Sequence, residues 1–331
     1  MPDQCSITAR TAEEMEQSGA SLARTLYTVP LTVLLSGPLG AGKTTFLQGF
    51  GQALGIAEHI TSPTFALEQR YLTQAHGELL HIDLYRLPET AARTLAEQSE
   101  DHAGIRCIEW SERLENTNPQ DDRIIIHIDE RTNGTRQVTC TFRDIALPTQ
   151  QQVQTWRAHV CLPENVAQHC DAVAAFARQI GEHMLSKGYI VRPLALERAA
   201  QLHDLFRFVD FLPTTSDNAP QPTREHWADL KKTYGSIHED AAAQFVTEQG
   251  FPAIGHIFRT HGMKGEDPTT IEQQLLFYAD KRVMGDTIVT LEERFADFRQ
   301  RYSGGRDTQQ SSAWLAACKR MEQQLFPESA P

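Results

Sequence analysis

The stretch LTVLLSGPLGAGKTT, residues 31–45, decides the fold of the first half of the chain. LTVLLS is a short apolar run of buried-strand type. G-x-x-x-x-G-K-T follows it directly, from Gly37 to Thr44, and TTFLQGFGQALG then reads as a helix that Gly55 stops. Gly37, Gly40 and Gly42 let backbone N–H groups turn inward and cradle phosphate oxygens. Lys43 reaches the β- and γ-phosphates, and the Thr44 hydroxyl binds Mg²⁺. The helix start, with Thr45, adds the positive end of its dipole. Strand, loop and helix in this order predict a nucleotide–Mg²⁺ site on an α/β sheet.

Working outward, the strands and helices alternate up to about residue 147. TAEEMEQSGASLARTL reads as a helix. ELLHIDLY, RCIEW, RIIIHI and QVTCTF read as strands, the last with Val138, Cys140 and Phe142 alternating. From Val160 onward the periodicity is helical only. ENVAQHCDAVAAFARQIGEHM sets Val166, His169, Val173, Phe176 and Ile180 on one face, and LALERAAQLHDLFRFV reads as a second helix. HEDAAAQFVTEQG, FPAIGHIFRTHG, TIEQQLLFYADKRVMGD, TLEERFADFRQRY and SSAWLAACKRMEQQLF follow as helices, and PTTSDNAPQPTRE reads as a proline-rich loop between them. The expected fold class is an α/β P-loop NTPase domain, residues 1–147, followed by an all-α domain, residues 148–331. The change falls in the polar stretch ALPTQQQVQ.

Composition narrows the classes of function. The 331 residues carry 31 Lys+Arg against 43 Asp+Glu, a formal net charge of −12. That excludes broad nucleic-acid binding through a basic surface. No apolar run is long enough for a membrane span, and MPDQCSITAR has no apolar signal region. The six cysteines form no C-x-x-C pair, so reduced thiols and a cytoplasmic location are expected.

Magnesium needs a carboxylate from a neighbouring strand end. Asp83, after LLHI, is the first candidate and Glu109, after RCI, the second. One serves the metal's water shell and the other orients an attacking water.

SGPLGAGKTTFLQGFGQALGI, ITSPTFALEQRY, LLHIDLYRL and IEW occur in this order over roughly residues 5–145. Together they resemble the TsaE family, small bacterial ATPases needed for the tRNA modification threonylcarbamoyladenosine (t6A). The resemblance implies a P-loop protein that binds ATP with Mg²⁺ and hydrolyses it slowly. It also implies partners, the proteins that transfer the threonylcarbamoyl group to tRNA. By position it marks Lys43 and Thr44 as phosphate and Mg²⁺ contacts, and Thr61, Ser62, Pro63 and Thr64 as a switch-like loop facing the nucleotide. It marks Asp83 as the Mg²⁺-side carboxylate, with Tyr85 and Arg86 in the same motif and Glu109 and Trp110 in the last. Pro38 departs from the family pattern, which often has an acidic residue there, and removes one loop N–H. A small-molecule kinase would need several lid arginines. Only Arg70 and Arg86 are candidates.

In the helical half, His203 and Asp204 stand side by side within AQLHDLFRF. A charged carboxylate in an apolar helix costs several kcal/mol unless something pairs with it. His169 lies on an apolar helical face, Asp280 sits inside LLFYADKR, and His238 and His261 lie between. Such a set makes a metal site for Mn, Fe, Zn or Ni, or Mg²⁺ where carboxylates and waters dominate. The order H…HD…H…H…D resembles the HD superfamily of metal-dependent phosphohydrolases, over about residues 160–300. That resemblance implies His169, His203, Asp204 and Asp280 as primary ligands. It implies His238 and His261 at a second metal or a substrate phosphate, with His256 competing for the latter role. Asp204 would bridge to a water nucleophile, and the substrate would be a phosphoester, most plausibly a nucleotide. A helical module that keeps the fold without the chemistry is the alternative. Lys281 reads equally as a phosphate contact or a solvated side chain. His59, His76, His81, His102 and His127, in the first half, carry no assigned role.

Overall fold

The computed structural model describes residues 3–114, 122–211, 218–262, 267–303 and 309–327. The chain divides into two compact units. The first is Met1–Ile145 together with His183–Pro193, and the second is Ala146–Glu182 with Leu194–Pro331.

The first unit is a seven-stranded sheet in the order β1-β7-β6-β2-β5-β4-β3. Its strands are β1 (Asp3–Ala9), β2 (Leu31–Ser36), β3 (Glu68–Leu72), β4 (Glu78–Asp83), β5 (Ile105–Glu109), β6 (Arg123–Glu130) and β7 (Arg136–Phe142). β6, β2, β5 and β4 run parallel, and antiparallel strands close both edges. Alternation along β2 sends Val33 and Leu35 to one face and Leu34 to the other. The first face is covered by α1 (Ala12–Ala23) and α2 (Lys43–Ala53), through Met15, Leu22, Phe46, Leu47 and Phe50. The second is covered by α3 (Glu89–Gln98), through Ala92 and Leu95. α1 and α2 approach backbone to backbone. A Cβ on Gly19 would lie 1.9 Å from the Phe46 carbonyl oxygen, and one on Gly49 would lie 1.8 Å from that of Glu16.

The expected strands all form. β1, β3 and α3 were not among them. β1 buries Cys5, Ile7 and Ala9 in alternation with exposed residues, and β3 is an edge strand with a polar sequence.

The segment after residue 183 completes this unit. Ser18 Oγ donates to the Gly188 carbonyl (3.1 Å), and Ile190 N–H donates to Ser21 Oγ (2.7 Å). Ile190 itself lies in the core. The fully buried Arg192 grips both oxygens of Asp144 (2.8 and 2.7 Å), donates to the Thr25 carbonyl (2.9 Å) and lies over the Phe142 ring.

The second unit is helical. It contains α4 (Gln150–His159), α5 (Glu164–Ser186, whose last turn belongs to the first unit), α6 (Pro193–Leu202), α7 (Gln221–Tyr234) and α8 (His238–Glu248). α9 (Pro252–Arg259), α10 (Ile271–Arg282), α11 (Leu291–Ser303) and α12 (Gln309–Leu325) follow. α10 is buried nearly all round, with Leu275, Leu276, Tyr278 and Ala279 fully inside.

Four local readings change. α4 starts inside the polar stretch ALPTQQQVQ, where Thr149 and Gln152 form a capping box. Of the proline-rich loop, residues 213–217 lie outside the described residues, and 221–225 are already helical because Pro222 sits in the first turn of α7. α10 ends at Arg282, and a short hairpin, β8 (Val283–Met284) with β9 (Thr287–Ile288), interrupts the otherwise helical unit. His203 and Asp204 follow the end of α6 instead of lying inside a helix. The reason is local: His203 Nδ1 donates to the Ala200 carbonyl (2.7 Å), taking an acceptor of the last helical turn. Among the described residues no helix is long and apolar enough to cross a membrane.

Arg192→Ala leaves Asp144 buried without its ion partner. It is expected to cost the first unit about 3–5 kcal/mol, read as an earlier denaturant midpoint for loss of the sheet signal. An unchanged midpoint would show that the segment after 183 does not hold this unit together.

Candidate functional site

The parallel strands of the first unit bring three chain ends together. Leu35 of β2 is in register with Glu109 of β5, and Glu109 with Asp83 of β4. The carboxyl ends of parallel strands are where open α/β sheets bind ligands. Gly37, Gly40 and Gly42 take φ values of 138°, 81° and 102°, conformations that side-chain-bearing residues rarely adopt. Gly42 ends the loop as the N-cap of α2, and Thr45 lies in that helix's first turn. Lys43 donates to the carbonyls of Gly37 (2.7 Å) and Pro38 (3.0 Å) and lies 3.7 Å from the Trp110 ring centroid. Burial lowers its pKa, while Glu109, Glu112 and Asp83 pull the other way. Pro38 gives up its N–H, yet its carbonyl accepts from both Lys43 and Ala41 N–H.

Each buried carboxylate here has a defined set of donors. Asp83 Oδ2 accepts from Ser62 (2.7 Å) and Thr64 (2.5 Å), and Oδ1 from Tyr85 N–H (2.8 Å). Asp83 thus ties the 61–64 loop to β4. Glu109 Oε1 accepts from Thr44 (2.8 Å) and meets His81 Nε2 (3.0 Å). Trp110, at φ 62°, packs against Tyr85. Of the two arginines weighed for a kinase lid, Arg70 pairs with Glu78 and Arg86 lies over the Phe65 ring. His81 was assigned no role. Its signal was the i, i+2 spacing of His81 and Asp83 in LLHID, which puts both side chains on one face of β4.

In the second unit, His169 comes from α5, His203 and Asp204 from the turn after α6, and His238 from the start of α8. His261 follows α9, and Asp280 lies in α10. Three overlapping groups bring ligand atoms within 4.8 Å of one another: His169–His203–Asp280, His203–Asp204–His261 and His238–Glu239–His261.

The imidazoles share one orientation. Nδ1 of His169 meets the Gly285 carbonyl (2.8 Å), that of His203 the Ala200 carbonyl (2.7 Å), and that of His261 the Phe258 carbonyl (2.6 Å). Nδ1 of His238 meets the Asp210 carboxylate (2.6 Å). Each Nδ1 therefore donates outward, and each Nε2 turns inward. This is the outer-shell arrangement that metal-ligating histidines use.

The inward atoms gather around the two carboxylates. His203 Nε2 is buried with no hydrogen-bond partner among the described residues, 3.7 Å from Asp280 Oδ1 and 3.8 Å from Asp204 Oδ2. His238 and His261 oppose Nε2 to Nε2 at 3.1 Å, with Asp204 Oδ1 3.2 and 3.4 Å away. Burial opposes a charged His238, but hydrogen bonds to Asp204 and Asp210 outweigh it and lift its pKa to about 9. The donor set, imidazole nitrogens around carboxylates, fits a divalent metal.

Two side chains differ from expectation. Lys281 is buried, donates to the His261 carbonyl (2.9 Å) and pairs with Asp280, so the solvated reading does not hold. His256 is exposed and lies outside the three groups. Asp210 and Glu239 were missed, and Glu239's position directly after His238 was the available signal.

Residues 9–138 match the family model for threonylcarbamoyl adenosine biosynthesis protein TsaE, and residues 166–285 match the HD domain model. A TsaE from Treponema pallidum is 36% identical over 135 residues, covering 40% of this chain and 96% of that protein. The chain belongs to the TsaE family. It carries the HD domain in addition. The Bacillus subtilis TsaE is 32% identical over 133 residues, covering 40% of this chain and 83% of that protein. The TsaE of a Nostoc species is 46% identical over 101 residues, covering 29% of this chain, and the chain spans 61% of that relative's length. A crystal structure of Bacillus subtilus YdiB is 29% identical, covering 43% of this chain and 87% of that one, with a TM-score of 0.36.

The Asp210 carboxylate orients His238 from outside the ligand set. Asp210→Asn is expected to weaken metal binding about 10–100-fold, measured by competition with a chromophoric chelator. Unchanged affinity would place the metal away from His238.

Proposed function

We propose that this TsaE-family chain joins two phosphate chemistries, an ATPase domain over residues 1–147 and an HD phosphohydrolase domain over 148–331. The first binds and slowly hydrolyses ATP with Mg²⁺. It serves t6A modification together with the proteins that transfer the threonylcarbamoyl group. The convergence of Lys43, Thr44, Asp83 and Glu109 at the ends of adjacent parallel strands supports this reading. The glycine loop and α2 start, with Lys43, hold the triphosphate. Thr44 and Asp83 hold the Mg²⁺ side, Glu109 orients the attacking water, and Thr64 links the 61–64 loop to Asp83. Trp110 backs the Lys43 ammonium. The exposed side chains of Leu39 and Phe65, one in the phosphate loop and one beside Thr64, suit contact with a partner protein.

The second activity is hydrolysis of a phosphoester, a nucleotide by preference. The single observation that supports it best is the turn of four Nε2 atoms toward Asp204 and Asp280. His169, His203, Asp204 and Asp280 would hold one metal, and His238 and His261, with Asp204 between, a second. When bound, such a metal supplies a Lewis acid and an acidified water. The chain's own residues fix the ligands in place: Ala200, Phe258, Gly285 and Asp210 lock the imidazoles, and Lys281 braces Asp280.

Lys43→Ala is expected to lower ATP turnover at least about 100-fold without unfolding the helical unit, measured by phosphate release and circular dichroism. Persisting turnover would sink the P-loop assignment.

Asp204→Ala is expected to drop bound transition metal from about one or two ions per chain to none, and to end phosphate release from a panel of nucleotides other than ATP while ATP binding persists. Elemental analysis of wild type and variant decides it. Metal retained by the variant would move the site elsewhere. Metal-loaded wild type that cleaves no phosphoester would leave the helical half as a binding module.

A further inference from the structure

We infer that His81 is a positioning residue for ATP hydrolysis, acting through Glu109. This role rests on the ATPase reading above.

His81 lies on β4, two residues before Asp83, and is completely buried. Its ring points to the face that α2 covers. Cys107, its register partner on β5, and Leu79 share that layer, and both belong to the apolar core there. The surroundings would suit a leucine. Nδ1 has no hydrogen-bond partner among the described residues, so the imidazole carries a desolvation cost that an apolar side chain would avoid. Nε2 makes the contact that offsets it, 3.0 Å from Glu109 Oε1. Glu109 is itself buried, and a carboxylate oxygen is an acceptor, so Nε2 carries the proton and donates.

Thr44 donates to the same oxygen. Both bonds converge on Oε1 and leave Oε2 out of them. A glutamate held by one oxygen presents the other in a fixed direction, which is what orienting a water requires. The two donors differ in kind. Thr44 sits in the phosphate loop's helix start, where its hydroxyl answers to the nucleotide. His81 sits inside the sheet, on the strand that also carries Asp83. The sheet-borne bond is the one that stays fixed while the loop engages its ligand.

Four variants test this role, with phosphate release at saturating ATP read beside ATP affinity. His81→Leu is expected to lower kcat about 10–100-fold with ATP Kd within about threefold of wild type. His81→Gln, whose amide nitrogen reaches the position of Nε2, recovers most of the loss. His81→Asn, whose shorter amide reaches only the position of Nδ1, does not. In a Glu109→Ala background His81→Leu causes no further fall, because both changes remove one function. Wild-type kcat in His81→Leu, an equal loss in the Gln and Asn variants, or additive losses with Glu109→Ala would each overturn the role. Should His81→Leu fail to fold, the contrast between Gln and Asn decides alone. A wild-type chain without Lys43-dependent turnover would overturn the ATPase reading and this role together. Turnover that ignores every His81 change overturns this role only.

Discussion

Buried negative charge is the constraint around which both units are arranged. Asp83, Glu109, Asp144, Asp204 and Asp280 are all nearly inaccessible to water. A carboxylate in such a place must be hydrogen-bonded, paired or bound to a cation. The chain answers each differently. Asp144 receives the two-pronged grip of Arg192, a stabilising contact with no chemistry attached. Asp83 and Glu109 receive hydroxyls, an amide and an imidazole, with the Lys43 ammonium acting on both. Asp280 has one oxygen on Lys281 and the other toward His169 and His203. Asp204 has the imidazoles of His203, His238 and His261 close by and also feels the Arg207 guanidinium.

What the sequence made legible was whatever depends on neighbours in the chain. The phosphate loop is contiguous, so Gly37 to Thr44 could be read with its roles. The central strands are short apolar runs and could be bounded closely. β3 and α3 could not, because EQRYL is a polar edge strand and ETAARTLAEQ buries little beyond Ala92. The inward histidines and the two aspartates were legible as a set, since their order along the chain carries a family pattern. Their geometry was not. His203 and Asp204 were read inside a helix, and only the fold shows His203 closing that helix with its own Nδ1. Asp210 and Glu239 owe their place to tertiary packing around His238, and His81 to its register against β5. Residues that act by holding another residue leave little trace in one sequence.

The division of the chain adds a covalent constraint. Residues 183–193 belong to the P-loop unit, yet they join α5, which carries His169, to α6, which leads into His203 and Asp204. Gly188 and Ile190 are held by Ser18 and Ser21 of α1, and α1 packs through Gly19 against α2, the helix that begins at Lys43. Excision of the first unit at residue 147 would therefore remove part of its own core, Ile190, and the partner of its buried Asp144. The 183–193 segment is thus part of the packing of the first unit itself.

Protons and a metal ion are alternative sources of the positive charge that Asp204 and Asp280 require. Burial opposes charge on His203, yet the Cys170 sulfur, Asp204 and Asp280 hold its proton well above the usual range. Burial pushes His261 down. Asp204 resists that shift, while His203 and His238 reinforce it. Protons alone would thus charge neighbouring imidazoles unevenly, with His238 Nε2 and His261 Nε2, 3.1 Å apart, both facing Asp204 Oδ1. Each Nδ1 already holds a proton on a carbonyl or on Asp210, so a second proton would make a buried imidazolium. A divalent cation supplies the charge that Asp204 and Asp280 require and accepts every inward lone pair without adding a proton. The outer hydrogen bonds on Nδ1 satisfy buried acceptors and also fix the imidazoles in the orientation that the proposed metal site uses.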